Sequence, residues 1–173
     1  MSQPVYIKVK GSTQGLISSG ASTEASIGNR YQSGHEDEIM AQEVSHIVTV
    51  PVDPQSGQPS GQRVHKPFSF TTSLNKAVPL LYNALTQGER LPEVEIHWYR
   101  TSTSGGAEHF FTTKLEDATI TDITLVSPNA QDKQNSDKTE LFQVSMNYRK
   151  IVWEHVAAGT SGSDDWREAT KKA

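Results

Sequence analysis

Residues 142–153, which read FQVSMNYRKIVW, decide the fold of this chain. From 142 to 148 every even-numbered position is apolar or aromatic, and this period of two is that of a β-strand with one buried face. After residues 149–150 the pattern reverses, because Ile151 and Trp153 occupy odd-numbered positions. A strand that bends and changes faces in this way is typical of a β-barrel.

The same alternation recurs in both directions along the chain. Between residues 118 and 126 the apolar side also changes parity, near Asp122, which predicts a β-bulge or bend. The pair Gly105-Gly106 predicts a hairpin turn. Further strand signals, one of them closed by Pro51, lie at residues 5–9, 39–50, 68–70 and 94–98.

One segment, at about residues 76–87, has helical spacing instead. Its apolar residues share one face, Gly88 follows as a C-terminal cap, and Pro79 is tolerated only in the first turn. The sequence therefore predicts a mainly β fold: a compact bent β-barrel of two antiparallel sheets with one short α-helix. The apolar face of this helix is interpreted as core that covers the barrel.

The polar stretches predict how the domain is bounded. Residues 11–34 are expected to form a loop with one short strand, and residues 53–62, with two prolines and two glycines, an exposed extended loop. We expect one barrel domain over residues 1–156 and a polar C-terminal tail over residues 157–173, with Trp166 docked on the domain.

Composition excludes several classes of protein. Of 173 residues, 34% are hydrophobic and 21% are charged, which suits one soluble domain with a modest apolar supply. The net charge of -4 argues against nucleic acid as a partner, and the absence of cysteine excludes disulfides and thiolate chemistry. We expect no membrane insertion, because no apolar run could span a bilayer, and no signal peptide at the N-terminus.

No motif of catalytic chemistry occurs in the sequence, and we predict that the protein is not an enzyme. Serine-nucleophile, phosphate-loop, dinucleotide and zinc-helix signatures are all absent. The six histidines, at 35, 46, 65, 97, 109 and 155, show no ligand spacing and are interpreted as surface or hydrogen-bonded side chains. The acidic run 36–38 is interpreted as a solvated loop. We expect no catalytic residue, no metal ligand and no cofactor.

Several segments, in order from end to end, resemble the haemolysin-coregulated protein (Hcp) family of bacterial type VI secretion. The combination of the loop exit with His65, Pro67 and Phe68, the helix, and the last tryptophan-containing strand is the most specific. The matching segments are residues 4–11, 50–68, 79–88, 94–99, 110–115, 148–153 and 164–166.

The resemblance implies a structural subunit. Proteins of this family close into hexameric rings, and the rings stack into a hollow tube inside a contractile sheath. The implied partners are further copies of the chain, the spike protein, the sheath and small effector proteins that the lumen carries and protects. The implied localisation is cytoplasmic until assembly, followed by secretion through the type VI system without a signal peptide.

Two candidate sites follow. The resemblance implies a lumen or effector contact at Ser45 and Glu43. The extended loop is too polar to be core and too long for a tight turn, so it is the candidate for contact with a neighbouring ring. The residues of this stacking loop are Asp53, Pro54, Gln55, Ser56, Gly57 and Gln58.

Three alternatives stay open at this point. Another contractile-injection or phage tail-tube protein would share the same physics. A monomeric ligand-binding β-barrel would stay a single subunit at all concentrations. A hydrolase that uses the scattered histidines would need a cleft and measurable turnover.

Overall fold

β-strands dominate the computed structural model, which describes residues 3–31 and 33–166. In this part of the chain there are two α-helices, α1 (Glu24–Ile27) and α2 (Val78–Gln87). The strands are β1 (Val5–Gly11), β2 (Gly15–Leu16), β3 (Ile39–Ala41), β4 (Glu43–Ser45), β5 (Val48–Thr49), β6 (Val64–His65), β7 (Phe68–Thr72), β8 (Leu91–Thr101), β9 (Ala107–Val126), β10 (Leu141–Asn147), β11 (Lys150–His155) and β12 (Thr160–Asp165).

The strands pair antiparallel in the order β2-β1-β8-β9-β10-β7-β4, with β9 at the centre. The first half of β9 lies between β8 and β11, and its second half pairs with β10. Residues 39–45 connect strands from opposite sides of this order, because β3 pairs with β1 near one end and β4 pairs with β7 at the other. The strands β5 and β6 form a separate two-stranded ribbon. The predicted mainly β fold of bent antiparallel sheets is confirmed.

Both predicted parity changes are present. In the β9–β10 ladder Asp122 lies opposite Ser145 but Ile120 lies opposite Met146, so Thr121 is the extra residue of a bulge. The second change falls between β10 and β11, which pair with different halves of β9. Each change keeps the apolar side chains inside as the sheet turns.

The interior is filled by side chains from both sheets and from α2. The rings of Phe68, Phe70 and Phe142 are fully buried. Burial of one such side chain contributes roughly 1.5–3 kcal/mol. Trp98 and Trp153 are half-buried and pack against this core. Other fully buried side chains are Ile7, Ile17, Ile39, Leu81, Leu91, Ile96, Leu115, Met146 and Ile151.

The helix α2 ends where the sequence predicts and begins two residues later than the expected 76. Gly88 adopts the left-handed conformation (φ 64°) that caps the helix, and Pro79 lies in the first turn. The start is delayed because the Asn75 side chain accepts the Ala77 N–H at 2.9 Å. Among the described residues, no helix has both the length and the apolar character needed to cross a membrane.

Residues 11–34 contain more structure than the predicted loop with one short strand. Besides β2 they form α1 and a 3-10 turn at Gly28–Arg30, so the prediction of a single helix omits α1. The buried carboxylate of Glu89 holds the start of this segment, because it accepts the N–H groups of Thr13 (2.6 Å) and Gln14 (2.7 Å). Such small polar residues give little periodic signal.

The C-terminal boundary also differs from the sequence-based division at residue 156. β12 (Thr160–Asp165) pairs along the whole length of β11 and extends the sheet. Trp166 follows it and docks as expected, with its indole N–H donating to the Tyr148 carbonyl and its backbone N–H donating to the Arg149 carbonyl at 3.3 Å. The rest of the predicted tail, residues 167–173, lies outside the described residues.

The burial of the three phenylalanine rings predicts how much the free energy of unfolding falls when one of them is truncated. Phe70→Ala should lower the free energy of unfolding by about 3–5 kcal/mol, because a cavity remains where a large buried ring was. Chemical denaturation followed by circular dichroism measures this. The half-buried Phe110→Ala is the matched control and should cost clearly less. Equal losses would contradict the assignment of Phe70 to the core.

Candidate functional site

Glu43 and Ser45 lie on one polar face of the sheet formed by β4, β7, β10 and the second half of β9. Register aligns their cross-strand neighbours into two rows. We call these eight residues the polar face: Glu43, Thr71, Gln143 and Thr124 in one row, and Ser45, Ser69, Ser145 and Asp122 in the next. The structure thus brings together the two predicted contact residues and adds six that sequence reasoning did not name.

Strand alternation explains why this face is polar. The row between the two polar rows points the other way and consists of Val44, Phe70, Val144 and Ile123, which belong to the core or pack against it. The alternate positions of FSFTT and FQVSMN carry this signal in the sequence, but the pairing of β7 with β10 is not visible there.

Short hydroxyl and amide side chains give the polar face its chemistry. Ser69 Oγ and Ser145 Oγ are hydrogen-bonded at 2.8 Å, and Thr121 Oγ1 donates to the Ser145 carbonyl at 3.2 Å. Glu43 and Asp122 supply two exposed carboxylates, and neither row contains a basic residue. A shallow depression of about 320 Å³ lies along the first row. The surface can donate and accept hydrogen bonds, and it holds no activated nucleophile.

An aliphatic edge bounds the polar face at one end. Leu141 pairs with Val126 there on the side of the polar face, and Leu125, opposite Phe142, is exposed on the other side of the same edge. Their side chains are 37%, 48% and 47% exposed. We call these three residues the rim patch. An exposed aliphatic cluster of this kind is typical of a surface that another protein covers.

The predicted stacking loop is the tip of a longer projection, residues 46–66, which we call the arm. The ribbon of β5 and β6 forms its stem, and an isolated bridge between Val52 and Pro59 continues it. Its exposed aliphatic side chains are Ile47, Val48, Val50, Val52 and Val64. The arm thus presents a second apolar surface that the barrel leaves uncovered.

The tip of the arm is a compact turn organised by Asp53. The Asp53 carboxylate accepts the Gln55 N–H (3.0 Å) and the Ser56 hydroxyl (2.9 Å), and these hydrogen bonds lower its pKa. Gly57 completes the turn with φ 72°, a conformation that favours glycine. All six residues of the predicted stacking loop are exposed.

Two groups of histidines are hydrogen-bonded to neighbouring carboxylates or to a tyrosine hydroxyl. His97 lies 3.1 Å from Glu38 at Nδ1 and 3.1 Å from Glu95 at Nε2. The hydrogen bond that the His97 N–H donates to the Glu38 carboxylate raises the pKa of His97 above its ordinary value. Because both ring nitrogens face carboxylates, the charged form of this imidazole is favoured, and neither nitrogen points toward open space. His35 stacks on Tyr6 nearby, with ring centroids 3.8 Å apart.

The second group joins the arm to the barrel. Tyr148 is enclosed between His46 and His65, and Asp164 lies 2.6 Å from the other nitrogen of His65. Because Tyr148 is 3% exposed and the His65 side chain 2%, no substrate can reach this hydroxyl. Within residues 3–31 and 33–166, no set of three or more His, Asp or Glu side chains is arranged to hold a metal ion. The sequence missed both groups because their members are far apart in the chain.

The His97 group predicts a pH-dependent contribution to stability. In Glu38→Gln the pKa of His97, followed by NMR titration, should fall towards about 6.5. An imidazole whose pKa is raised on folding stabilises the folded protein most at a pH where it is charged in both the folded and the unfolded state. The variant should therefore lose about 1–3 kcal/mol of unfolding free energy below pH of about 6.5, and less as the pH rises through the raised pKa. The partly exposed Glu108→Gln, on the same sheet, should leave the pKa of His97 unchanged; an equal fall in that variant would refute the Glu38 contact as the cause of the raised pKa.

Comparisons with known proteins agree with one another. Residues 6–155 match the family model described as "Type VI secretion system effector, Hcp". A relative named "Major exported protein" from Pseudomonas aeruginosa is 57% identical over 167 residues, which cover 96% of this chain and 97% of the relative. A solved structure described as "Crystal structure of Hcp protein" superposes with a TM-score of 0.91 at 81% identity, covering 95% of this chain and all of the other. The "Secreted protein Hcp3 from Pseudomonas aeruginosa" gives a TM-score of 0.81 at 49% identity, covering 95% and 99% of the two chains.

Proposed function

The chain belongs to the Hcp family of type VI secretion proteins, and on this basis we propose that it is a structural subunit that closes into hexameric rings, which stack into a hollow, expelled tube. A ring of identical subunits needs a heterologous interface, and stacking needs two further complementary surfaces on its two rims. The role is structural and involves no catalysis.

The observation that carries the stacking proposal is the position of the two exposed aliphatic surfaces. β10 begins at Leu141, in the rim patch, and ends at Asn147, next to the Tyr148 that holds the arm. Its seven residues span about 20 Å, so the arm and the rim patch lie at opposite ends of the same sheet. Such an arrangement supports head-to-tail contact, in which the arm of one subunit covers the rim patch of a subunit in the next ring.

The stacking loop Asp53–Gln58 then acts as the leading part of the arm. Its turn is prefolded by Asp53, so that contact with the next ring requires little ordering of the backbone. The valines behind it supply apolar area, and the polar tip supplies hydrogen bonds at the edge of the contact.

The polar face supplies the lumen wall in this proposal, with Glu43 and Ser45 as effector contacts. A wall of short hydroxyl and amide side chains stays hydrated, and it binds a passing protein weakly enough to release it. Residues 1–156, extended by β12, serve as the single domain of the subunit.

Export and partners follow from the family. The relative from Pseudomonas aeruginosa is named an exported protein, and we propose that this chain too stays in the cytoplasm until assembly and is then secreted by the type VI system without a signal peptide. Its partners are further copies of itself, the spike protein, the sheath and small effectors. Nucleic acid and membrane insertion have no part in the proposal.

The alternative of a monomeric ligand-binding barrel is disfavoured by the interior. Phe68, Phe70 and Phe142 fill the space that a ligand would occupy. The tail-tube alternative from other contractile machines shares the architecture, and the family match over residues 6–155 favours type VI secretion.

Assembly tests the stacking proposal directly. Native mass spectrometry of the wild type should give a hexamer, and negative-stain microscopy should show rings and, at high concentration, stacked rings. Val126→Asp, or replacement of residues 53–58 by a two-glycine turn, should leave rings intact and abolish stacks, because a charge or a gap interrupts the apolar contact. The control is Val156→Asp, an aliphatic residue of similar exposure (44%) outside both surfaces. A wild type that remains a monomer would overturn the whole proposal, and unchanged stacking in the two variants would overturn the arm contact.

Effector retention tests the lumen assignment. Ser45→Trp and Glu43→Trp should lower the amount of effector that copurifies with rings several-fold, because a bulky ring disrupts the hydrogen-bonding wall, while native mass still shows hexamers. Ser104→Trp, in the exposed β8–β9 turn, is the matched control and should retain effector normally. Full retention in both polar-face variants would reject these two residues as lumen contacts.

A further inference from the structure

A chain of four polar side chains fixes the base of the arm to the barrel. Tyr148 Oη lies 2.6 Å from His46 Nε2 and 2.7 Å from His65 Nδ1. His65 Nε2 lies 2.6 Å from the Asp164 carboxylate on β12. Arg63 reinforces the link, with its Nε donating to the Asp164 carboxylate at 2.6 Å and its Nη2 donating to the Asp165 carbonyl at 2.8 Å. Three separate parts of the chain therefore meet at one tyrosine hydroxyl.

Counting protons fixes the direction of each hydrogen bond when both imidazoles are neutral. An ionised Asp164 requires the proton of His65 on Nε2, so Nδ1 has a lone pair and accepts the Tyr148 hydroxyl. The tyrosine oxygen then accepts the Nε2–H of His46. Every donor has an acceptor in this arrangement.

One added proton can also be accommodated. If His65 becomes charged, its Nδ1–H donates to the tyrosine oxygen, and the hydroxyl turns to donate to Nε2 of His46, which carries its own proton on Nδ1. A second added proton cannot. Both imidazolium rings then point an N–H at the same oxygen, the hydroxyl proton has no acceptor between them, and two positive charges share a buried site.

The surroundings keep the rest of the network constant while the imidazoles titrate. The pKa of Asp164 is lowered, chiefly by the hydrogen bond from Arg63, and burial raises the pKa of Tyr148, so neither group changes charge near pH 6. Burial, and the proximity of His65, lower the pKa of His46. Other charged groups nearby are Arg149, on the β10–β11 junction, whose guanidinium lies 3.3 Å from Asp117 and 3.6 Å from Asp165, and Arg90, which lines the same depression as Tyr148 and Asp117.

We propose that this network is a proton-sensitive latch, which holds the arm while His46 and His65 carry at most one added proton and releases it when both are charged. The docked state disfavours protonation of His46, so its stability is retained above the ordinary imidazole pKa of about 6.5 and is lost as the pH falls below it. The consequence for ring stacking rests on the proposed function of the arm; the latch itself does not.

Distance measurements on the whole chain test the latch, because the absence of native cysteine allows two labels to be placed at will. Spin labels on Ser56→Cys, at the arm tip, and Asn83→Cys, on the exposed side of α2, report the arm position by pulsed electron resonance. Labelled protein is diluted into excess unlabelled protein, so that only distances within one subunit count. We expect one narrow distance at about pH 7.5 and a broad distribution at about pH 5, on either side of the imidazole pKa of about 6.5.

Two variants separate the latch from general effects of acid. His46→Gln keeps a donor to Tyr148 but cannot gain a charge, so its arm should stay docked at both pH values. His109→Gln, whose ring lies 4.7 Å from that of His97 and far from the latch in sequence, should release the arm in acid as the wild type does. Identical distributions at both pH values, or release that persists in His46→Gln, would overturn the latch. The measurement works on monomers and rings alike, so a failure of the latch and a failure of ring assembly are distinguishable.

Discussion

The antiparallel register that joins β4, β7, β10 and the second half of β9 is the constraint on which the rest of the structure depends. Successive side chains in these strands point to opposite faces, so a slip of one residue would exchange Phe70 and Val144 for Thr71 and Gln143 in the interior. The same register therefore builds the core and the polar face at once. The bulge at Thr121 extends this arrangement, because it lets β9 turn without reversing which side chains are buried.

Much of the fold could be predicted because strand alternation leaves a direct trace in the sequence. Both parity changes, the hairpin at Gly105-Gly106 and the Gly88 cap of α2 fall where the pattern places them. The pattern fails where the residues are small or polar. α1 has no buried residue, and β12 reads TSGSDD, so neither element carries a hydrophobic period that could reveal it.

In the candidate sites, too, residues that share one strand could be predicted to lie together, and residues brought together by strand pairing could not. Glu43 and Ser45 share a face because they are two residues apart on one strand, which their positions alone indicate. Their neighbours Gln143 and Asp122 come from other strands, and only the pairing of those strands brings them together. The histidine groups are the extreme case, since Tyr148 meets side chains about one hundred positions earlier in the chain. Single-sequence reasoning had no means of finding the actual partners of these histidines.

The two histidine groups respond to protons in opposite directions. The carboxylates around His97 favour its charged form, and burial beside a second imidazole disfavours the charged form of His46. The total stability of the barrel can therefore change little over a pH range in which the arm alone changes its attachment. A scaffold and its projection can in this way respond separately to the same signal.

The length of β9 has a consequence for how the chain reaches its native state. This one strand of 20 residues contacts β8, β10 and β11. β1 pairs with β8, which follows α2 in the chain, so this pairing cannot form until β8 has been synthesised. No early fragment can bury a complete hydrophobic interior, because every candidate lacks its central strand. Folding therefore depends mostly on non-local contacts that form after β9 has been synthesised, and contacts of this kind are expected to make it slow.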